Sequence, residues 1–172
     1  MNYNYSKTFP PLKNCYDSSH NGLLPKLFTI EQIIKEKISG KFNFVVNLNK
    51  QLRLSPNEDV SIPCGSKIEI LDNGSEHTVN IKHKINGHIH LAMKDDSNDI
   101  MSAFAAGESY FDFQKGTGLI SLTSRSGSFR ATGEEHKKQA CNAFREKYGS
   151  LKGVTYIEFN NKEKSSVTVL DE

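Results

Sequence analysis

At 172 residues and 36% hydrophobic content the chain can bury one real core and is too short for two comfortable domains. Its 22 basic and 20 acidic residues give a formal charge of +2 and are mixed along the chain, without the clustered basic patch that a nucleic-acid or membrane-surface footprint requires. No apolar run approaches the ~18 residues of a transmembrane helix, and neither a nucleic acid nor a membrane is expected as a partner.

Cys15, Cys64 and Cys141 are odd in number, far apart and without a CxxC pair. That spacing argues against a disulfide framework or a zinc site and for reduced thiols in a cytosol-like compartment. Met1–Lys7 has no apolar h-region and does not read as a Sec signal. The expected location is the cytoplasm, or a host cytosol reached by a signal-independent bacterial secretion system.

Residues 1–27 are rich in Asn, Ser, Tyr and Pro and read as an extended N-terminal arm, with 28–172 as a single domain. Thr29 looks like an N-cap, with Gln32 completing a capping box. Ile30, Ile33, Ile34 and Ile38 then make a short amphipathic helix, 29–39, ending before Gly40. From Phe42 the period changes to two, and 42–55 reads as a hairpin turning at Asn47–Lys50. Further strands are expected at Val60–Cys64, Lys67–Leu71, Thr78–His83 and Gly87–Met93, with a turn at Asp72-Asn73-Gly74.

Lys94–Asp99 is a polar loop, and Ile100–Phe104 could be a strand or one helical turn. Tyr110–Phe113 and Leu119–Thr123 are strands, and the chain then breaks at Gly127. Thr132 and Glu135 have capping-box spacing before the strongest helix, 133–148, which Gly149 terminates. Val154–Phe159 and Ser166–Leu170 close the chain as two strands. The expected class is α+β, mainly antiparallel sheet of roughly nine strands with about two helices.

Arg125, Ser126, Gly127, Ser128 and Arg130 crowd the glycine break just upstream of that second helix. Guanidinium forks match phosphate and carboxylate bidentately, and a helix N-terminus adds N–H donors, so an anion is the expected ligand. The plain alternative is a Gly127 turn whose arginines are solvated or paired with Glu108, Glu134 or Glu135. His88 and His90, on a strand, would share one face and could flank a substrate as a general base. Two histidines on a solvated hairpin face is the alternative, and no metal is expected because further ligands are wanting.

Glu108 follows Ala-Ala-Gly, where Gly107 permits close approach of backbone or ligand, and its carboxylate could orient a His or an Arg. Surface exposure is the ordinary fate of such a Glu. Cys141 lies beside an apolar helix stripe and nothing near Cys64 lowers its pKa, so neither reads as a nucleophile. A P-loop, a GxGxxG and a GxSxG elbow are all absent, and no cofactor is expected.

Four segments carry a resemblance: Phe44-Val45-Val46 with Leu52-Arg53-Leu54, Gly87-His88-Ile89-His90-Leu91-Ala92, Ser102–Glu108, and Leu119-Ile120 leading to Ser126–Glu135. In this order they resemble the module with the signature FVL…LYV, HSSFLAG, AAGE, SGHYRPT, found in plant calmodulin-binding proteins of the IQ-motif type and in bacterial toxin- or effector-like proteins. The resemblance spans roughly residues 30–155. Ser128 stands where that signature has His, Phe129 where it has Tyr and Ala131 where it has Pro. If the family's His carries chemistry, only His88 or His90 could replace it here. Gln32-Ile33-Ile34-Lys35 is no IQ motif, so calmodulin binding does not carry over.

The resemblance and the Asn-, Lys- and Ile-rich composition imply a small bacterial effector- or toxin-like module. It would bind a phosphate-bearing small molecule or a host partner protein through the Arg125–Arg130 turn. One alternative is a toxin-type transferase or hydrolase using His88 or His90 with Glu108 and the arginines. The other is an interaction or immunity protein without a catalytic site.

Overall fold

The computed structural model describes residues 4–12, 27–57, 61–84, 88–92, 101–116, 118–160 and 163–172. The expected α+β class holds, built on one six-stranded sheet and a separate two-stranded ribbon. Helix α1, Ile30–Glu36, starts as read: the Thr29 hydroxyl accepts the Gln32 N–H at 3.1 Å. It stops three residues short of 39 because Lys37 turns left-handed (φ 51°), and Ile34 faces outward while Ile30 and Ile33 are buried.

Strands β1, Gly40–Val46, and β2, Leu52–Pro56, form the expected hairpin, with Phe44 opposite Leu54. Alternation aims Phe42, Phe44 and Val46 at one core. Strand β3 runs unbroken from Ser61 to Ile70, with a register shift between Pro63 and Gly65 where two strands were expected. It pairs antiparallel with β4, Glu76–Lys84, across the expected turn at 72–74.

The expected strand at 87–93 is a correction. Residues His88–Ala92 form a short helix, α2, and β4 takes β3 as its partner instead. Five residues of alternating pattern cannot by themselves separate strand from helix. Burial decides for helix, because His88, Leu91 and Ala92, spaced i, i+3, i+4, are all buried against the sheet. Positions 88 and 90 therefore do not share a face, which removes the basis for a paired His site. The side chain of His90 lies outside the described residues, as do the loop 94–99 and residues 13–26.

Strand β5, Ala105–Asp112, begins earlier than the aromatic run suggested and takes in the Ala-Ala-Gly-Glu segment. It pairs with β1 on one side and with β6, Gly118–Thr123, on the other. Helix α3, Glu134–Tyr148, then crosses over so that β7, Thr155–Asn160, lies parallel to β6. Strand β8, Glu163–Val169, turns back antiparallel at the sheet's edge. The sheet order is β2-β1-β5-β6-β7-β8.

The Thr132 capping box does not form. Gly133 is the N-cap (φ 93°) without a side-chain cap, and Glu135 accepts a hydrogen bond from the Ser6 hydroxyl at 2.6 Å instead. Gly149 ends the helix as expected, at φ 99°. Ala140, Ala143 and Phe144 press into the sheet, with the Phe144 ring edge-on to Phe44 at 5.0 Å.

The N-terminal stretch is stitched to this frame by Gln139, a polar residue buried on α3. Its amide oxygen accepts from the Ser6 and Lys7 N–H groups at 2.9 and 3.0 Å, and its amide nitrogen donates to the Lys7 and Phe104 carbonyls at 2.8 and 2.6 Å. Phe9 then pairs with Ala103 and Pro11 with Phe129. Gln139→Ala would leave these backbone groups without their partner, so we expect a loss of about 2–3 kcal/mol in urea unfolding. Faster hydrogen exchange at Ser6 and Lys7 should accompany it.

Candidate functional site

The segment Ala106-Gly107-Glu108 is held at every peptide by a side chain. His136 Nε2 accepts the Ala106 N–H at 3.2 Å, and Thr123 Oγ1 accepts the Glu108 N–H at 3.1 Å. His88 Nε2 lies 2.7 Å from the Gly107 carbonyl, and since a carbonyl only accepts, that nitrogen carries the proton. By the same logic His136 is protonated at Nδ1 and donates to the Tyr156 hydroxyl, 2.7 Å away. A Cβ on Gly107 would stand 1.8 Å from the Thr123 carbonyl oxygen, so no other residue fits there.

Burial holds both imidazoles down at about 4, which keeps them neutral near pH 7. Burial also pushes the Tyr156 hydroxyl up, so it stays protonated, and raises the Cys141 thiol to about 11, consistent with an inert core cysteine. A histidine whose folded pKa lies below its ordinary 6.5 is protonated preferentially in the unfolded chain. Their contribution is therefore complete above pH 6.5 and declines as the pH falls toward 4. We expect acid to destabilise the fold in that window by about 3 kcal/mol per histidine, with proton uptake on unfolding visible as a pH slope in urea titrations. His136→Gln should remove about half of that slope.

Glu108, expected at the surface, is buried. Its Oε2 accepts from the Asn57 side-chain amide at 2.5 Å and lies 3.7 Å from Lys41 Nζ. It does not orient His88, whose proton goes to the neighbouring backbone carbonyl. Gly107→Ala should cost about 3 kcal/mol or more, because the clash is with backbone and cannot be relieved by a rotamer change. A lowered urea midpoint at unchanged slope is the expected signature.

The Arg-Ser-Gly-Ser turn lies on the other side of Thr123, whose hydroxyl also accepts the Arg125 N–H at 3.1 Å. Ser126 Oγ accepts the Ser128 and Phe129 N–H groups, each at 3.2 Å, and this closes the turn. Phe129 is buried as its anchor, and Ser124 Oγ ties it to β7 by accepting the Phe159 N–H at 2.8 Å. A cleft of about 540 Å³ opens here, lined by Ser126, Gly127 and Arg130 of the turn and by Phe159, Asn160 and Glu163 of β7 and β8. Arg125 lies over the Phe159 ring, its guanidinium carbon 5.5 Å from the ring centre.

The helix N-terminus contributes less to this cleft than its position suggested. The Gly133 N–H is already bonded to the Glu158 carboxylate at 2.6 Å. Ser126, Gly127 and Arg130 thus line the cleft, whereas Arg125 and Ser128 are not among its lining residues: Arg125 lies over the Phe159 ring, and the Ser128 carbonyl accepts the Leu12 N–H at 2.8 Å. His88 and Glu108 are not among the residues that line it. Among the described residues no three His, Cys, Asp or Glu side chains converge on a common point, and no helix is long and apolar enough to cross a membrane.

His136 and Gln139 escaped the sequence reading because a helical stripe containing them looks like any amphipathic face. Their spacing of three was the only available signal, since it places two polar groups on the buried side. No family model, curated protein or solved structure matches the chain.

Proposed function

We propose that this chain is a small binding module, of the bacterial effector- or toxin-like kind that its sequence resemblance implies, and that its cleft takes a phosphate-bearing ligand. The observation that carries this reading is the lining of the cleft. Arg130 lines it beside the Ser126 and Gly127 turn, and Arg125, which does not itself line it, lies over the ring of Phe159, which does. A guanidinium fixed in this way keeps its donors available while the ring shields one of its faces, which suits recognition of a phosphoryl group.

Glu163, which lines the cleft with Phe159, refines the reading. A carboxylate in the same cleft as Arg130 disfavours bare inorganic phosphate, which would meet a like charge. It favours a ligand whose phosphate is followed by a hydrogen-bond donor, as in a nucleotide or an aminated sugar phosphate. A protein partner carrying a phosphorylated side chain meets the same requirement.

The test is a thermal-shift comparison of pyrophosphate, AMP, ADP and ATP at low ionic strength. At least one nucleotide should raise the melting temperature. Arg130→Ala should abolish the shift, Arg125→Ala should reduce it, and Glu163→Gln should enhance the response to pyrophosphate. A shift that persists in the Arg125→Ala, Arg130→Ala double variant, or the absence of a shift from every compound, would overturn the reading.

A further inference from the structure

We infer that this chain associates with a second copy of itself through the open edge of the large sheet, strand β8 pairing antiparallel with β8 of its partner about a two-fold axis. A sheet that does not close has two edges, and each presents a row of backbone N–H and C=O groups. At the β2 edge the chain covers itself, because Phe28 bridges Leu54 and its N–H donates to the Leu54 carbonyl at 2.9 Å. The β8 edge is different. Among the described residues no further strand pairs with Glu163–Val169, and every one of its seven residues is exposed.

The hydrogen bonds that β8 already makes fix which of its backbone groups face outward. The Leu170 N–H donates to the Val154 carbonyl at 2.9 Å and the Leu170 carbonyl accepts the Gly153 N–H at 2.8 Å, so residue 170 points its backbone inward at β7. Alternation turns Thr168, opposite Tyr156, inward as well, and turns the N–H and C=O of Val167 and Val169 outward. The same two residues carry the apolar surface of the edge. Tyr156 is buried in the α3 core and Thr168 beside it belongs to that face, so Val167 and Val169 stand on the other, 50% and 57% exposed.

Symmetry and charge select the register. A two-fold axis normal to the sheet makes each contact reciprocal, so the residue on the axis defines the pairing. With Ser166 there, Glu163 would face the partner's Val169, and Val167 the partner's Ser165. With Val167 there, Glu163 would meet the partner's Asp171, a like-charge pair. With Thr168 on the axis, Val167 faces the partner's Val169 and Val169 faces the partner's Val167. Each of these pairs exchanges both backbone N–H···O bonds, and the valines of the two copies close into one apolar cluster. Lys164 then lies at the acidic end of the other copy, beside the partner's Asp171 and the partner's Glu172. An extended segment of an unrelated protein would meet the backbone row but not this match of valines and charges. A single strand a side buries less than the ~1,200 Å² of a standard stable interface, so the dimer is a weak one, with a Kd on the order of 100 µM.

Sedimentation equilibrium of the full chain between about 10 µM and about 1 mM tests this, and should show a monomer–dimer equilibrium with nothing larger, since a two-fold contact consumes both edges. Val167→Lys with Val169→Lys sets like charges across the axis and should raise the Kd at least about tenfold. Both positions are half-exposed, so the double variant should keep its urea midpoint. The register is read by cross-linking. Thr168→Cys, combined with Cys15→Ser and Cys64→Ser and with the buried Cys141 left in place, should give a disulfide-linked dimer under mild oxidation. Residues facing each other across the axis in a non-hydrogen-bonded pair bring their Cβ atoms to within about 4.5–5.5 Å. Ser166→Cys in the same background should not cross-link, because that residue lies away from its own copy. A chain that stays monomeric throughout the range, a dimer indifferent to the two lysines, or equal cross-linking at 166 and 168 would overturn the inference.

Discussion

The contact between Gly107 and the Thr123 carbonyl is the constraint from which the rest of the molecule is arranged. It lets the start of β5 and the end of β6 approach more closely than any side chain would permit. Because the approach is so close, the peptides of Ala106, Gly107 and Glu108 are served by His136, His88 and Thr123. Those three partners come from α3, α2 and β6, so one glycine fixes the relative placement of three elements. Glu108 then projects to one side of this knot and the Arg125–Arg130 turn leaves from the other, with Thr123 Oγ1 shared between their backbones.

Charge is handled locally throughout. With a formal charge of only +2, the chain carries little net charge, and its charged groups act through short contacts. Carboxylates sit beside the basic groups: Glu163 shares the cleft with Arg130, and Glu108 neighbours Lys41. Glu158 meets the donor at the head of α3, where the helix dipole favours negative charge.

Where sequence patterns were long and of one period, they were readable. The 42–55 hairpin, the 133–148 helix and the Thr29 cap each rest on local chemistry, and the structure agrees with them. The reading failed where tertiary packing overrode a short pattern. His88–Ala92 alternates like a strand, yet burying His88, Leu91 and Ala92 together requires a helix. Thr132 and Glu135 have capping-box spacing, but the glycine between Thr132 and the first helical residue took the cap position, and Ser6 claimed the glutamate.

Glu108 shows the same limit from the functional side. Its glycine neighbour marked a close approach, and that much was legible. What approaches is the Thr123 backbone, seen only once β5 and β6 are side by side. Likewise no sequence pattern announces that Ser55, Asn43 and Glu108 fall in one row, because register is a property of paired strands.

The stitching of residues 6 and 7 to Gln139 sets an order of events in biogenesis. The partners stand 133 and 132 positions apart, and Gln139 is presented only after α3 has settled on the sheet. A ribosome delivers the early segment long before its mate exists. Residues 6 and 7 therefore reach this partner only once α3 has been made, and the burial of Phe9 beside them waits on the same docking.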